Sequence, residues 1–293
     1  MMSATTGLKS FAPEICSLIC QDPTMQRSDL NFICLISPTF RREAQRLLSY
    51  RFPCLRGASR IKAWCLSLKR RPHFALDVQE LVLLMPPQAA FPPDNMTPLI
   101  RALRMCVNLK ELAVLSQWRR PGFRDTALPM FLMSDLPFTL TKFVNDYFCQ
   151  SSVSLGPFLK SQRMTLETLE LHSDNDPRTI HLCHNEVTFP CLKTLACPSA
   201  YISGYYSWYN LGIERLRLDF EYSKPEVGCE KGVLSSNFIF FLVGTNLKSL
   251  AIHLKRKPDE RHSHFLEIMD HVAATLPNIK HLQIHQYLPM VRP

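Results

Sequence analysis

Eight times along the chain an apolar residue is followed by two polar ones, an apolar residue, one spacer and a third, usually apolar, residue. The matches start at Val78/Leu81/Leu83. They continue at Leu109/Leu112/Val114, Leu140/Phe143/Asn145, Leu166/Leu169/Leu171, Leu192/Leu195/Cys197, Ile213/Leu216/Leu218, Leu247/Leu250/Ile252 and Ile279/Leu282/Ile284. In a chain that is 46% hydrophobic a single match carries no information, because such triplets recur by chance. Their succession does carry information. Starts lie 21 to 34 residues apart, and the two residues after each start, from Gln79-Glu80 to Lys280-His281, are polar every time. A chain organised this way builds an array in which each unit covers the apolar face of its neighbour.

Apolar residues at the second and third positions of each triplet follow the period of a strand with one face inward, and the polar pair ahead of them fits a turn. Between strands, Thr97-Pro98 followed by Leu99, Ile100, Leu103 and Val107 predicts a helix capped by Thr97, with proline at its first position. Phe158-Leu159, Phe238 to Val243, and Phe265, Ile268, Met269, Val272 and Leu276 predict further returning segments, whereas Ser199 to Leu211 reads as a loop. An L-x-x-L-x-L core with a helical or looser return resembles the leucine-rich repeat, whose strands line a concave face. Most intervals exceed the roughly 20–29 residues of regular repeats, and the asparagine after the third leucine is missing, so the likeness is to irregular repeats. The resemblance implies an α/β fold, an irregular leucine-rich-repeat solenoid of eight repeats over residues 57–293.

At 293 residues the chain can bury a core without covalent staples. Eleven cysteines, an odd number with no recurring short spacing, argue against an extracellular disulfide framework. There is no run of about 18 apolar residues to span a bilayer, and Met1 to Phe11 lacks the apolar stretch of a signal peptide. The expectation is a cytoplasmic or nuclear protein with no membrane partner. Residues 1–72 hold twelve Lys/Arg against four Asp/Glu, a net +8 out of +9 for the whole chain. The repeat region is therefore almost neutral, which disfavours a specific nucleic-acid groove there, while the basic N-terminal part suits an acidic protein partner or a solvated face.

That N-terminal part runs Phe11-Ala12-Pro13-Glu14-Ile15, Leu18-Ile19, a turn around Pro23, Asp29-Leu30 with Ile33, Leu35 and Ile36, then Phe40, Ala44, Leu47, Leu48 and Tyr50. The spacing predicts three short amphipathic helices. The segment resembles an F-box, with L-P-x-E-[IL] matched by Phe11 to Ile15, D-L by Asp29-Leu30, and V-C-R-x-F by Ile36 to Phe40. Ala12 stands where the first proline belongs, and Ser37-Pro38 replaces Cys-Arg, though Ser37 and Pro38 suit the start of a third helix. With a basic helix holding Ile61, Trp64, Cys65 and Leu68, and the irregular repeats behind it, the chain resembles fungal F-box-like proteins with degenerate leucine-rich repeats.

The resemblance implies an F-box-like helical module over residues 1–56 that docks on a Skp-type adaptor of a cullin-RING ubiquitin ligase. Pro13, Glu14, Ile15, Ile19, Leu30, Ile36 and Phe40 would form or support that contact, although Ile15, Ile19, Ile33 and Leu47 could equally be the bundle's own core. The repeats would hold a protein substrate on Glu170, His172, Arg217, Asp219, His253, His281, Gln283 and His285, the residues flanking the inward leucines. The other reading is an interaction scaffold with a degenerate F-box and no ligase role.

No phosphate-binding glycine loop, nucleophile elbow or H-E-x-x-H helix occurs. Neither catalysis nor a cofactor is expected. His181, Cys183, His184 and Cys191, with His172 or Cys197, form the only zinc candidate weighed, and their spacing departs from paired knuckles. The cluster Tyr205, Tyr206, Trp208 and Tyr209 fits either a recognition loop or a plug in the convex layer.

Overall fold

The computed structural model describes residues 11–22, 24–86, 95–116, 136–147, 158–171, 189–198, 212–221, 246–255, 270, 272–274, 276 and 278–287. Three helices come first: α1 (Pro13–Gln21), α2 (Arg27–Ile33) and α3 (Pro38–Arg51). Each start has a local cause. Pro13 and Pro38 sit in the first turns of α1 and α3, where a missing N–H costs nothing. The Phe40 N–H donates to the Ser37 hydroxyl (3.3 Å), and the Gln26 N–H donates to the Asp29 carboxylate (2.9 Å). The helices close on a small core of Cys16, Cys20, Leu30, Ile33, Phe40, Ala44, Leu47 and Phe52.

Nine strands follow: β1 (Cys54–Arg56), β2 (Glu80–Met85), β3 (Glu111–Ser116), β4 (Lys142–Asn145), β5 (Thr168–Leu171), β6 (Thr194–Pro198), β7 (Arg215–Glu221), β8 (Ser249–Lys255) and β9 (His281–Tyr287). All pair in parallel, in chain order. The spacing read from the sequence is the register observed. Leu81, Leu112, Phe143, Leu169, Leu195, Leu216, Leu250 and Leu282 form one inward row. Val78, Leu109, Leu140, Leu166, Leu192, Ile213 and Leu247 are buried beneath it. Asn145, the one polar residue at a third position, is fully buried among them. The fold is thus α/β, with leucine-rich-repeat-like parallel strands and three packed N-terminal helices.

The polar pairs ahead of the strands make a ladder of shared acceptors. The Gln79 carbonyl accepts the N–H groups of both Lys110 and Glu111, Lys110 those of Thr141 and Lys142, and the pattern runs on through Thr141, Glu167, Lys193, Glu214 and Lys248. The first rung lies in the helical module, where the Gln79 N–H donates to the Arg51 carbonyl at 2.9 Å. The Arg51 side chain is buried, with its Nη1 donating to the Asp22 carbonyl (3.1 Å). Tyr50 stacks on Phe74 at 4.3 Å, completing the junction.

Helix α4 (Gly57–Arg70) follows β1 with no intervening residue. Gly57 takes φ 81° there, a left-handed turn that a side chain would strain. Ile61, Trp64, Cys65 and Leu68 are its buried face, as the sequence pattern predicts. A 3-10 turn over Pro72–Asp77 leads to β2. Helix α5 (Met96–Met105) buries Leu99, Ala102 and Leu103.

Three expectations change. The helix expected to be capped by Thr97 starts two residues earlier, with Asn95 at the cap position and Pro98 inside the first turn. Val107 lies past the helix end and is exposed, because the chain has already turned toward β3. The sheet also begins at Cys54, within the segment assigned to the helical module, and the two apolar cores divide between Phe52 and Leu55. A helical turn at 158–162 carries the buried Gln162. Its Oε1 accepts the Leu140 N–H (2.8 Å) and its Nε2 donates to the Phe138 carbonyl (3.3 Å), satisfying the turn into β4 from the following helical turn. Phe238 to Val243, Ser199 to Leu211, and Phe265, Ile268 and Met269 lie outside the described residues, while Val272 and Leu276 are buried.

Candidate functional site

Two surfaces contain the residues singled out above. The first is on the helical module. Its helix α1, PEICSLICQ, sets Glu14, Ser17 and Gln21 on one polar stripe and leaves the rest apolar, an arc too broad for periodicity alone to say which part faces inward. The structure buries the small residues, Cys16 and Cys20, and turns the large ones, Ile15, Leu18 and Ile19, outward. Helix α2 buries Leu30 and Ile33, yet Phe32 on its other side and Leu35 and Ile36 just after it are exposed at 71%, 75% and 66%. Phe11 is exposed as well, yet its ring meets Phe40 edge-on at 5.9 Å, and Phe40 is core.

Of the seven residues expected at an adaptor contact, Pro13, Glu14, Ile15, Ile19 and Ile36 are exposed, whereas Leu30 and Phe40 are buried and support the surface from below. Ile33 and Leu47 belong to the core, while Ile15 and Ile19 do not. Leu18, Phe32 and Leu35 were absent from the expected contact. Their signal was an apolar residue left over after each helix had filled its inward stripe.

The second surface is the outer face of the sheet, the side opposite the leucine rows. Parallel register stacks Glu170, Ala196, Arg217, Ala251 and Gln283 in one row, and Asp219, His253 and His285 in the next. Arg217 Nη2 lies 3.9 Å from Glu170 Oε2, reaching across β6 because Ala196 puts only a methyl group between them. Arg217 Nε is 3.6 Å from Asp219 Oδ1, and His253 Nδ1 is 3.2 Å from the same oxygen. The rings of His253 and His285 meet edge-on at 4.9 Å. Five expected residues thus form one network, half-buried and preorganised. His281 and Gln283 stand exposed on β9, and His172 lies outside the described residues. Such a patch can exchange hydrogen bonds and charge with a bound chain, but no hydroxyl or thiol belongs to it.

The first strands give this face a different character. Val82, Leu84, Ala113 and Leu115 are half-buried on the outer side, and Val144 is buried there. These were missed because only polar flanking residues were selected. Strict alternation places every second residue outward whatever its polarity. At the start of this face Glu80 stands beside Glu111 in register. Burial first, and then the Glu111 charge, raise the Glu80 carboxyl above its usual range.

Burial raises the pKa of four of the described thiols, Cys20 among them. Burial pushes Cys65 to about 11 and Cys106 to about 12, and raises Cys197 further. Of the zinc candidates, Cys197 is in the core, while Cys191 is exposed with its Sγ donating to the Met164 carbonyl at 3.2 Å. His172, His181, Cys183 and His184 lie outside the described residues, as does the aromatic cluster from Tyr205 to Tyr209. Among the described residues no group of three or more ligating side chains could hold a metal ion, and no helix is long and apolar enough to cross a membrane. No protein-family model and no curated protein matches the chain.

Proposed function

We propose that the chain is a substrate-receptor adaptor of a Skp/cullin/F-box ubiquitin ligase. Helices α1 and α2 dock on the Skp-type adaptor, and the outer face of the sheet holds a protein substrate. The observation that carries this reading is the apolar surface left on α1, whose core residues are cysteines, and at the end of α2 and just after it: Ile15, Leu18, Ile19, Phe32, Leu35 and Ile36 all meet solvent. Fully burying one such side chain is worth about 1.5–3 kcal/mol. A bundle selected only to fold would bury the larger groups first. Large apolar side chains left outside a complete core favour a surface completed by another protein. Pro13 and Glu14 sit on the same helix as Ile15 and Ile19 and would fix the docking register, with Leu30 and Phe40 as support.

The mechanism is proximity. The module anchors the chain to the ligase, and the sheet holds the substrate near the transferring enzyme, raising effective concentration without chemistry of its own. The polar network from Glu170 to His285 and the apolar strip from Val82 to Val144 give the substrate face two halves of different preference.

The test is titration of the purified chain with a purified Skp-type adaptor, alongside an Ile15→Ser/Leu35→Ser variant whose melting curve matches the native one. Binding that is lost in the variant is expected. A folded native chain that fails to bind would leave the second reading, an interaction scaffold with an F-box-like relic.

A further inference from the structure

We propose that the outward face of α4 is a docking site for an acidic protein segment that carries a large apolar side chain. Between Glu43 and Asp77 the chain places eight Lys/Arg and no carboxylate. Arg51 is buried and Arg46 pairs with Glu43 at 3.2 Å, but most of the others are exposed on or around α4. Ile61, Trp64, Cys65 and Leu68 face the sheet, so Lys62, Leu66, Lys69 and Arg70, at i, i+4, i+7 and i+8, share the opposite side. Leu66 is 54% exposed at the centre of these three cations. From Lys62 to Arg70 the stripe spans about 12 Å at 1.5 Å per residue.

Charge pairing elsewhere makes this face stand apart. Along the sheet, Lys142 pairs with Glu111, Lys193 with Glu167, Arg217 with Glu170 and Asp219, and Lys248 with Glu214. Among the described residues Lys62, Lys69 and Arg70 have no ion pair. A cationic helix face with its own leucine complements a segment that offers carboxylates around an apolar anchor.

A bilayer is a poorer occupant, because interfacial helices insert an apolar face and that of α4 is spent on the sheet. Single-stranded nucleic acid is poorer too. It stacks bases on aromatic rings, and the helix's only aromatic residue, Trp64, is buried.

The experiment is fluorescence anisotropy of a short labelled peptide of Asp and Glu around one leucine, titrated with the full chain at about 150 mM salt, where the screening length is about 8 Å. Lys62→Glu/Lys69→Glu/Arg70→Glu is expected to weaken binding at least about tenfold, and Leu66→Ser about threefold. All four side chains are exposed, so melting should be unchanged, and Lys62→Gln/Lys69→Gln provides a milder variant should the reversal misfold. A peptide with serine in place of its leucine should bind more weakly to the native chain and equally to Leu66→Ser. No binding at this salt, or binding indifferent to Leu66, would overturn the proposal. So would tighter binding of a single-stranded oligonucleotide or of phosphatidylserine vesicles.

Discussion

The helical module and the sheet treat their apolar residues in opposite ways. Of the large hydrophobic side chains that stand exposed among the described residues, seven fall between Phe11 and Ile36, and only Leu66, Leu76, Val107 and Met164 lie beyond. In the sheet, by contrast, nearly every leucine of the repeat pattern is buried by its neighbour repeat. The sheet spends its apolar surface on itself. The module keeps a large share in reserve, and reserve of that kind has a use only if something else covers it.

The contrast can be broken most directly with one substitution in each region. Phe143→Ala removes a ring that is buried in an inward row and packed edge-on against Phe158 at 4.9 Å. A loss of about 3–5 kcal/mol is expected in denaturant unfolding. Leu35→Ala, three-quarters exposed, should change the same measurement by less than about 0.5 kcal/mol. Comparable losses at the two sites would erase the distinction drawn here.

The sheet's self-sufficiency is sharpened next by Gln162→Ala, which strips the Leu140 N–H and the Phe138 carbonyl of their side-chain partner. Leaving buried groups unsatisfied costs about 1–3 kcal/mol, read as a drop in the unfolding midpoint. Gly57→Ala forces a side chain into the left-handed turn between β1 and α4 and should cost about 1–2 kcal/mol in the same assay.

The smallest effects concern two carboxylates on the sheet and have opposite sign. Lys248 hydrogen-bonds Glu214 and holds its carboxyl below 4.5, the reference value. The pair therefore contributes above that value, and the contribution fades as pH falls through the depressed folded-state value. The gap in midpoint between native and Glu214→Gln chains should close on acidification from pH 7. Glu80 is raised instead, by burial and by Glu111, so its charge opposes folding at neutral pH. Glu80→Gln should raise the midpoint slightly at pH 7, an advantage that disappears in acid.

How much was legible in advance follows the same division. The inward rows from Val78 to Ile284 could be read because a strand must alternate and because every unit repeats the solution of the last. Strand β1 could not, since three residues with only Leu55 inward carry no period. The α5 cap was misplaced by two residues because proline is tolerated within a first turn and not only at its first position. In α1 the apolar arc beside the Glu14, Ser17 and Gln21 stripe is broad, and which part of it turns inward was decided by packing against α3, not by hydrophobicity. Only tertiary structure therefore distinguishes Cys16 and Cys20 from Ile15 and Ile19. The outer-face network was legible as types and spacing, whereas the bridge across Ala196 depended on register.

The acceptor ladder begins on the Arg51 carbonyl, inside the helical module. A chain made from its N-terminus completes that module before any repeat emerges, and each later repeat needs the previous rung to dock on. The sheet can then grow in the order of its synthesis, with the first template waiting. Removing the module to test its proposed docking role would remove the template as well. Separating those two roles calls for surface substitutions on α1 and α2 in a chain of full length.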